Sequence, residues 1–267
     1  MLVKKQNIKS NQEWLDALNK CTSLYSYNDI NKLEEDTIYL IEYVSKKYKN
    51  ICSGYIAGKD SIVLNHILNK TNIKFTPIMW RGINEYPSMK EWIENNKPSN
   101  LIEEVIDKYS LEFLEKHPDY LFCKKKTRQQ WMATKWERQR KDINKYGFDL
   151  FITGRRLKDG NQCGNIDDLF IVNKKGYDVF SPLGNWNNEQ LLAYIKYNNL
   201  ELPPFYKYDR GFLIGSIAMG EWTERAVLDK TEDEVWDELY LIDKSIVINA
   251  SNVLTSARKY LEKRKMK

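Results

Sequence analysis

The stretch from Ile51 to Leu68 constrains this chain more than any other. Ile51 to Ile56 is short and apolar and reads as a strand, Ala57-Gly58-Lys59-Asp60-Ser61 as a tight turn, and Ile62 to Leu68 as a helix. A strand that passes through a Gly-Lys turn straight into a helix is also an arrangement for holding an anion. The backbone N–H groups at a helix start point outward and carry partial positive charge. Gly58 has no Cβ, so a phosphate can approach the backbone, and Lys59 adds a full charge. Ser61 can cap the helix or donate to a phosphate oxygen. This is not a Walker A loop, which has a glycine separated by four residues from its Gly-Lys pair. That position is Ser53, and Asp60 stands between Lys59 and Ser61. Taken alone, Gly-Lys-Asp-Ser fits an ordinary surface turn equally well.

A chain of 267 residues is long enough for one large α/β domain, with or without a helical appendage. No apolar run approaches the roughly 18 residues of a membrane span. Met1-Leu2-Val3-Lys4-Lys5-Gln6 has no signal-peptide core, so a cytoplasmic protein that contacts no membrane is expected. The net charge of +5 suits an anionic substrate such as a nucleotide, but is too small to indicate nucleic acid by itself. Cys21, Cys52, Cys123 and Cys163 form no Cys-x-x-Cys pair, so free thiols are expected, with no structural metal and no iron–sulfur cluster.

Residues 8 to 47 have helical spacing. After the Ile51 strand and its helix come a strand at Phe75 to Trp80, a helix at Ser88 to Asn95 and a strand between Asn100 and Ile106. Leu111 to Glu115 reads as a short helix and residues 127 to 145 as a long polar one. Leu150 to Gly154 reads as a buried strand, and Leu169 to Val172 with Tyr177 to Ser181 as a hairpin. Helices follow at Asn188 to Asn198 and through most of Glu232 to Lys265. Strands alternating with helices imply an α/β fold, a mostly parallel sheet with helices on both faces. The expected organisation is a helical N-terminal extension (1–48), a nucleotide-binding α/β domain (49–210) and a mainly helical C-terminal region (211–267), forming one structural unit.

Ligands of parallel sheets bind beyond the carboxyl ends of the strands. Three more segments fall there: Trp80-Arg81-Gly82 with Tyr86-Pro87-Ser88, then Gly154-Arg155-Arg156, then Pro182 to Trp186 with Pro204-Phe205-Tyr206. With Ile56-Ala57-Gly58-Lys59-Asp60-Ser61 these resemble, in order and spacing over residues 45 to 210, the phosphoadenosine-phosphosulfate (PAPS) reductase family. That family belongs to the adenine nucleotide alpha-hydrolase-like, or PP-loop, superfamily, whose fold is Rossmann-like. Its loop usually reads Ser-Gly-Gly-Lys-Asp-Ser, so Ile56 and Ala57 depart from it, as does Trp80 from the Asp of the second loop. The reductases also carry a cysteine near the C-terminus that attacks sulfur. This chain has none after Cys163, which disfavours PAPS reduction.

The resemblance implies binding of an adenine nucleotide by Ala57, Gly58, Lys59, Asp60, Ser61, Arg81, Gly82, Gly154, Arg155 and Arg156, with catalytic roles for Lys59, Asp60 and Arg155. ATP is the expected nucleotide, with Mg²⁺ organised by Asp60. The reaction implied first is cleavage of ATP to AMP, or an adenylate, and pyrophosphate, in the setting of sulfur transfer such as DNA phosphorothioation. The alternatives are a sulfonucleotide reductase or sulfotransferase, and a non-catalytic nucleotide- or nucleic-acid-binding member. A homodimer is a family-level expectation. Arg81 reads either as an anion contact or as half of a surface salt bridge, and Trp186 and Tyr206 as core or loop-packing residues or else as ligands. Cys163 and Cys123 are candidate thiols by analogy with sulfur-passing relatives, or else two unrelated cysteines. The basic helix 124–141, with Trp131 and Trp136 interleaved, reads as a solvated face with its tryptophans packed inward, or as a nucleic-acid contact.

Overall fold

The computed structural model describes residues 10–106, 109–123, 125–160, 163–164, 169–171, 176–208, 211–212, 221–224 and 230–265, without the side chains of 123, 125–132 and 171. The N-terminal helical stretch divides at Ser26 into α1 (Asn11–Leu24) and α2 (Tyr27–Ser45). Ser10 and Ser26 each accept from the third helical amide, and Glu13 and Asp29 each accept from the cap's own N–H. These reciprocal capping boxes satisfy donors that a helix start otherwise leaves open.

The remaining elements alternate. They are β1 (Ile51–Gly54), α3 (Lys59–Leu68), β2 (Thr76–Gly82), α4 (Pro87–Asn96), β3 (Ile102–Ile106), α5 (Leu111–Lys116), α6 (Lys125–Lys145), β4 (Leu150–Ile152), β5 (Phe170–Ile171), β6 (Asp178–Phe180), α7 (Asn188–Tyr197), α8 (Glu232–Ile242), α9 (Lys244–Ser251) and α10 (Thr255–Lys265). One six-stranded sheet has the order β3-β2-β1-β4-β6-β5. β1 pairs in parallel with β2 and with β4, and β4 in parallel with β6. β5 joins the edge antiparallel to β6, as the hairpin reading expects. The fold is thus the mostly parallel α/β sheet implied by the sequence. Among the described residues no helix is long and apolar enough to cross a membrane.

The chain divides into two compact units. One comprises Met1–Met79, Asn96–Glu103 and Arg140–Ser216; the other comprises Trp80–Asn95, Glu104–Gln139 and Ile217–Lys267. In the first, α3 buries Val63, Leu64, Ile67 and Leu68, and α7 buries Leu191, Leu192, Ala193, Tyr194 and Ile195. Phe180, Leu183 and Trp186 complete this core, and the Trp186 indole N–H donates to Thr37 Oγ1 at 3.1 Å. In the second, Trp236 packs edge-on to Phe122 at 4.8 Å and lies 5.9 Å from Trp222.

The second unit also holds a carboxylate pair, half-buried Glu221 and buried Glu224. A Cβ on Gly82 would overlap the Glu221 carboxylate, so only glycine leaves that group its place. Glu221 Oε1 accepts from the Asn84 N–H at 3.1 Å, and Glu224 is buried with Lys135 Nζ at 3.7 Å. Burial pushes the Glu224 carboxyl well above its usual range; Lys135 opposes this and Glu221 adds to it. An acid whose folded pKa is raised costs no stability below the ordinary carboxylate range and progressively more as pH rises. Glu224→Gln should therefore melt higher than wild type at pH 8, and the gap should close toward pH 4. A gap independent of pH would show that Glu224 is not held protonated.

Candidate functional site

From β1 the chain moves through α3 to β2 on one side of the sheet, and it later reaches β4 on the other side of β1. Where strand order reverses in this way, the loops at the carboxyl ends of the two neighbouring strands diverge and leave a crevice. Here those are the loops after β1 and β4, paired as Ser53 with Ile152. Gly154, just past β4, lies against the first turn of α3: a Cβ there would sit 3.0 Å from the Asp60 carbonyl oxygen.

The loop after β1 is closed by Ser61. Its Oγ accepts from the N–H groups of Ile56 at 3.3 Å and Gly58 at 3.1 Å, and donates to the Gly58 carbonyl at 3.0 Å. The hydroxyl thus fixes the loop's own shape. Ala57, where the family pattern has glycine, adopts φ 52 and is fully buried. Positive φ costs an L-residue about 1–2 kcal/mol. Replacing alanine by glycine removes that strain, but loses a buried methyl worth about 0.8 kcal/mol and costs about 0.5–1 kcal/mol in chain entropy. Ala57→Gly should accordingly stay within about 1 kcal/mol of wild type. Ala57→Val, a β-branched residue at positive φ in a filled space, should lose about 2–4 kcal/mol. Chemical denaturation checks both, and an undisturbed valine variant would show that the turn is not held in this conformation.

Four charged side chains meet at this point. Lys59, at the first helical position, places Nζ 2.6 Å from Asp60 Oδ2, 4.0 Å from Asp159 Oδ2 and 5.3 Å from the centre of the Trp14 ring. Arg156 is 0% exposed and spreads its guanidinium over four acceptors. Nε donates to Asp60 Oδ1 at 2.5 Å, Nη2 to Asp159 Oδ2 at 3.0 Å, and Nη1 to Asn188 Oδ1 at 3.0 Å and the Trp186 carbonyl at 3.3 Å. Burial, the largest single influence on Asp60, pushes its carboxyl up, but Arg156 and Lys59 outweigh it and hold the group well below the usual range. Burial likewise opposes the charge on Arg156, while Asp60 and Asp159 raise its pKa above its ordinary value. The Lys59 N–H donates to the Tyr206 hydroxyl at 2.7 Å, and Tyr206 is pushed up by burial and by Asp60. Tyr206 packs against Phe205 and Phe212, and Phe212 stacks on Trp14 at 5.5 Å.

The residues singled out in the sequence therefore divide. Ala57, Gly58, Lys59, Asp60, Ser61, Gly154 and Arg156 come together. Arg155, beside Arg156, is half-buried and lies near enough to the Tyr177 hydroxyl to bear on its ionisation. Arg81 and Gly82 belong to the second unit. The Arg81 guanidinium is gripped there by Glu85, Nη2 to Oε2 at 2.5 Å, and by Glu94, Nη1 to Oε1 at 2.7 Å. Cys163 is fully buried, its carbonyl accepting from the Ser181 hydroxyl at 3.3 Å; the Cys123 side chain lies outside the described residues. In the basic helix, Trp136 is 55% exposed, so it does not pack inward. The Trp131 side chain lies outside the described residues.

Sequence reasoning passed over Asp159, Asn188, Trp14 and the Tyr206 hydroxyl. The signal for Asp159 was its place at the end of Gly154 to Asp159, the segment that supplies Arg156.

Among the described residues no three His, Cys, Asp or Glu side chains cluster to cage a metal. Mg²⁺ does not need such a cage: it is usually bound by one or two carboxylates, substrate phosphates and water. Asp159 offers a fitting donor. Its Oδ1 is buried and, among the described residues, has no hydrogen-bond partner.

Residues 50–217 match the model of the phosphoadenosine phosphosulfate reductase domain. A phosphoadenosine phosphosulfate reductase of Emericella nidulans is 28% identical over 123 residues, which is 46% of this chain and 38% of that relative's length. The crystal structure of phosphoadenylyl-sulfate (PAPS) reductase from Candida auris, a phosphate complex, superposes with a TM-score of 0.51 at 18% identity, covering 68% of this chain and 92% of that one. The NMN synthetase of Francisella tularensis gives a TM-score of 0.40 at 15% identity, covering 87% and 91%. The family match spans well over half of the chain and takes in every member of the buried charge cluster. This chain belongs to the phosphoadenosine phosphosulfate reductase domain family.

Proposed function

We propose that this chain binds an adenine nucleotide by its phosphates at the start of α3 and cleaves ATP between the α- and β-phosphates, releasing pyrophosphate and transferring the adenylyl group to an acceptor. The observation that carries this reading is the buried cluster of Lys59, Asp60, Arg156 and Asp159 at the strand-order reversal. Two cations fixed in a buried site stabilise charge developing on phosphate oxygens far better than solvated ones do, because they need not reorganise. Lys59 and the first-turn amides face the phosphate charge. Asp60 holds Lys59 and Arg156 in register. Tyr206, through its hydroxyl on the Lys59 N–H, orients the first turn, and its ring with Trp14 keeps water from the site. A divalent cation bound with the nucleotide would withdraw charge from the phosphate oxygens.

The described thiols are poorly suited to sulfur reduction. Burial raises the pKa of Cys21 and of Cys52, and Cys163 is fully buried. Thiolate, not thiol, is the nucleophile. The second reading, a sulfonucleotide reductase, is favoured by the family match and by the Emericella nidulans relative. One pair of assays separates the two. With ATP and Mg²⁺, the first reading expects stoichiometric AMP or adenylate and pyrophosphate. With PAPS and a dithiol, the second expects sulfite. Orthophosphate as the only product from ATP would remove the first reading.

A further inference from the structure

Among the described residues the cluster pairs two cations with two carboxylates, so their charges cancel before any ligand arrives. A cradle for a bare phosphate anion carries surplus positive charge. Here an incoming polyphosphate meets Asp60 and Asp159 as well as Lys59 and Arg156. The bonding of the carboxylates is uneven. Both oxygens of Asp60 are used, Oδ1 by Arg156 and Oδ2 by Lys59. Asp159 gives Oδ2 to Arg156, while its Oδ1 is buried without a partner among the described residues. The Asp159 side chain is nine-tenths buried. A buried carboxylate oxygen without a hydrogen-bond partner is unfavourable unless something occupies it.

We propose that Asp159 Oδ1 is a seat for a divalent cation, which enters with the nucleotide and completes its coordination with phosphate oxygens and water. This rests on the nucleotide reading given above and extends it. The neutral cluster takes up the metal–nucleotide complex and discriminates against the free nucleotide anion. The cation restores the surplus positive charge that two carboxylates cancel, and it gives the bare oxygen a partner. One protein carboxylate with phosphate and water is an ordinary Mg²⁺ environment, consistent with the lack of a three-residue cage among the described residues.

The test is binding of α,β-methylene-ATP, which cannot be cleaved at the α–β bridge, by calorimetry in Mg²⁺ and in EDTA. Mn²⁺ electron paramagnetic resonance is recorded on the same complex. Wild type should bind at least about tenfold more tightly with metal, a factor well outside calorimetric error, and should alter the Mn²⁺ spectrum. Asp159→Asn, which keeps an acceptor for Arg156, should bind equally with and without metal and leave the spectrum that of Mn²⁺ with free nucleotide. Asp159→Glu should retain metal dependence. Because an asparagine variant can lose stability, the wild-type comparison and spectrum decide independently of it. Metal-independent binding by wild type, or full metal dependence in Asp159→Asn, overturns the seat while leaving nucleotide binding intact. Binding in neither condition overturns the nucleotide reading itself, and the seat with it.

Discussion

Replacing Lys59 by alanine is expected to reduce pyrophosphate release by at least about 100-fold, the loss seen when one preorganised charge-stabilising donor is removed. Lys59 sits at the first position of α3, so its ammonium and its own N–H both belong to the phosphate end of the helix. The substitution removes the ammonium and leaves the amide on Tyr206 in place. Asp60 keeps its contact with Arg156. The fold should therefore tolerate the loss, with a fall in melting temperature of only a few degrees. For a chain of this size that corresponds to about 1–2 kcal/mol. Lys59→Arg should not restore activity, because the ammonium is enclosed by Asp60, Asp159 and the Trp14 ring, and a guanidinium is larger and planar. Turnover that survives in Lys59→Ala, with the protein folded, would place the chemistry elsewhere.

How much of this site the sequence disclosed depends on whether a residue's role is set locally. The loop 56–61 and its helix were legible because strand, turn and helix are contiguous. Gly154 was legible as the end of a strand, although not as the point where β4 meets the Asp60 carbonyl. The family resemblance implied a catalytic role for Arg155, although nothing local ranks two adjacent arginines, and it is Arg156 that enters the charge cluster. The structure separates them because Arg156 is in extended backbone just before the turn Leu157–Asp159, which carries Asp159 back to the same guanidinium. Asp159 itself is a negative charge where a phosphate site suggests positive ones, so nothing in the pattern singles it out. Tyr206 packs as its sequence context suggests, yet its hydroxyl is polar chemistry on a core residue 147 positions from its partner. Such pairings follow from topology, which local periodicity does not encode. Ala57 departs from the family's glycine in sequence, yet it is held at positive φ, the region that favours glycine.

The largest loss of stability is expected from Arg156→Met. The methionine fills much of the arginine's volume but supplies no donor, so Asp60 Oδ1, Asp159 Oδ2, Asn188 Oδ1 and the Trp186 carbonyl each lose a hydrogen bond at once. Half-buried Asp60 and the more enclosed Asp159 are then left with Lys59 alone. Removing one partner of a buried ion pair typically costs about 3–5 kcal/mol. That is a large share of the roughly 5–15 kcal/mol that holds a domain folded. The pH dependence gives the sign of the effect. In wild type Asp60 titrates below its ordinary range, so its contribution is full at neutral pH and is lost only as pH falls through that depressed value. Without Arg156 the largest remaining influence is burial, which favours the protonated acid, so the variant should regain stability as pH falls from 7 toward 5 while wild type does not. Adding Asp159→Asn should recover part of the loss, because the second change removes a charge that the first left unpaired. A double-mutant cycle in urea reads this coupling directly. Additive effects, or an Arg156→Met single variant that melts with wild type, would mean that the guanidinium is not the group holding the two carboxylates in place.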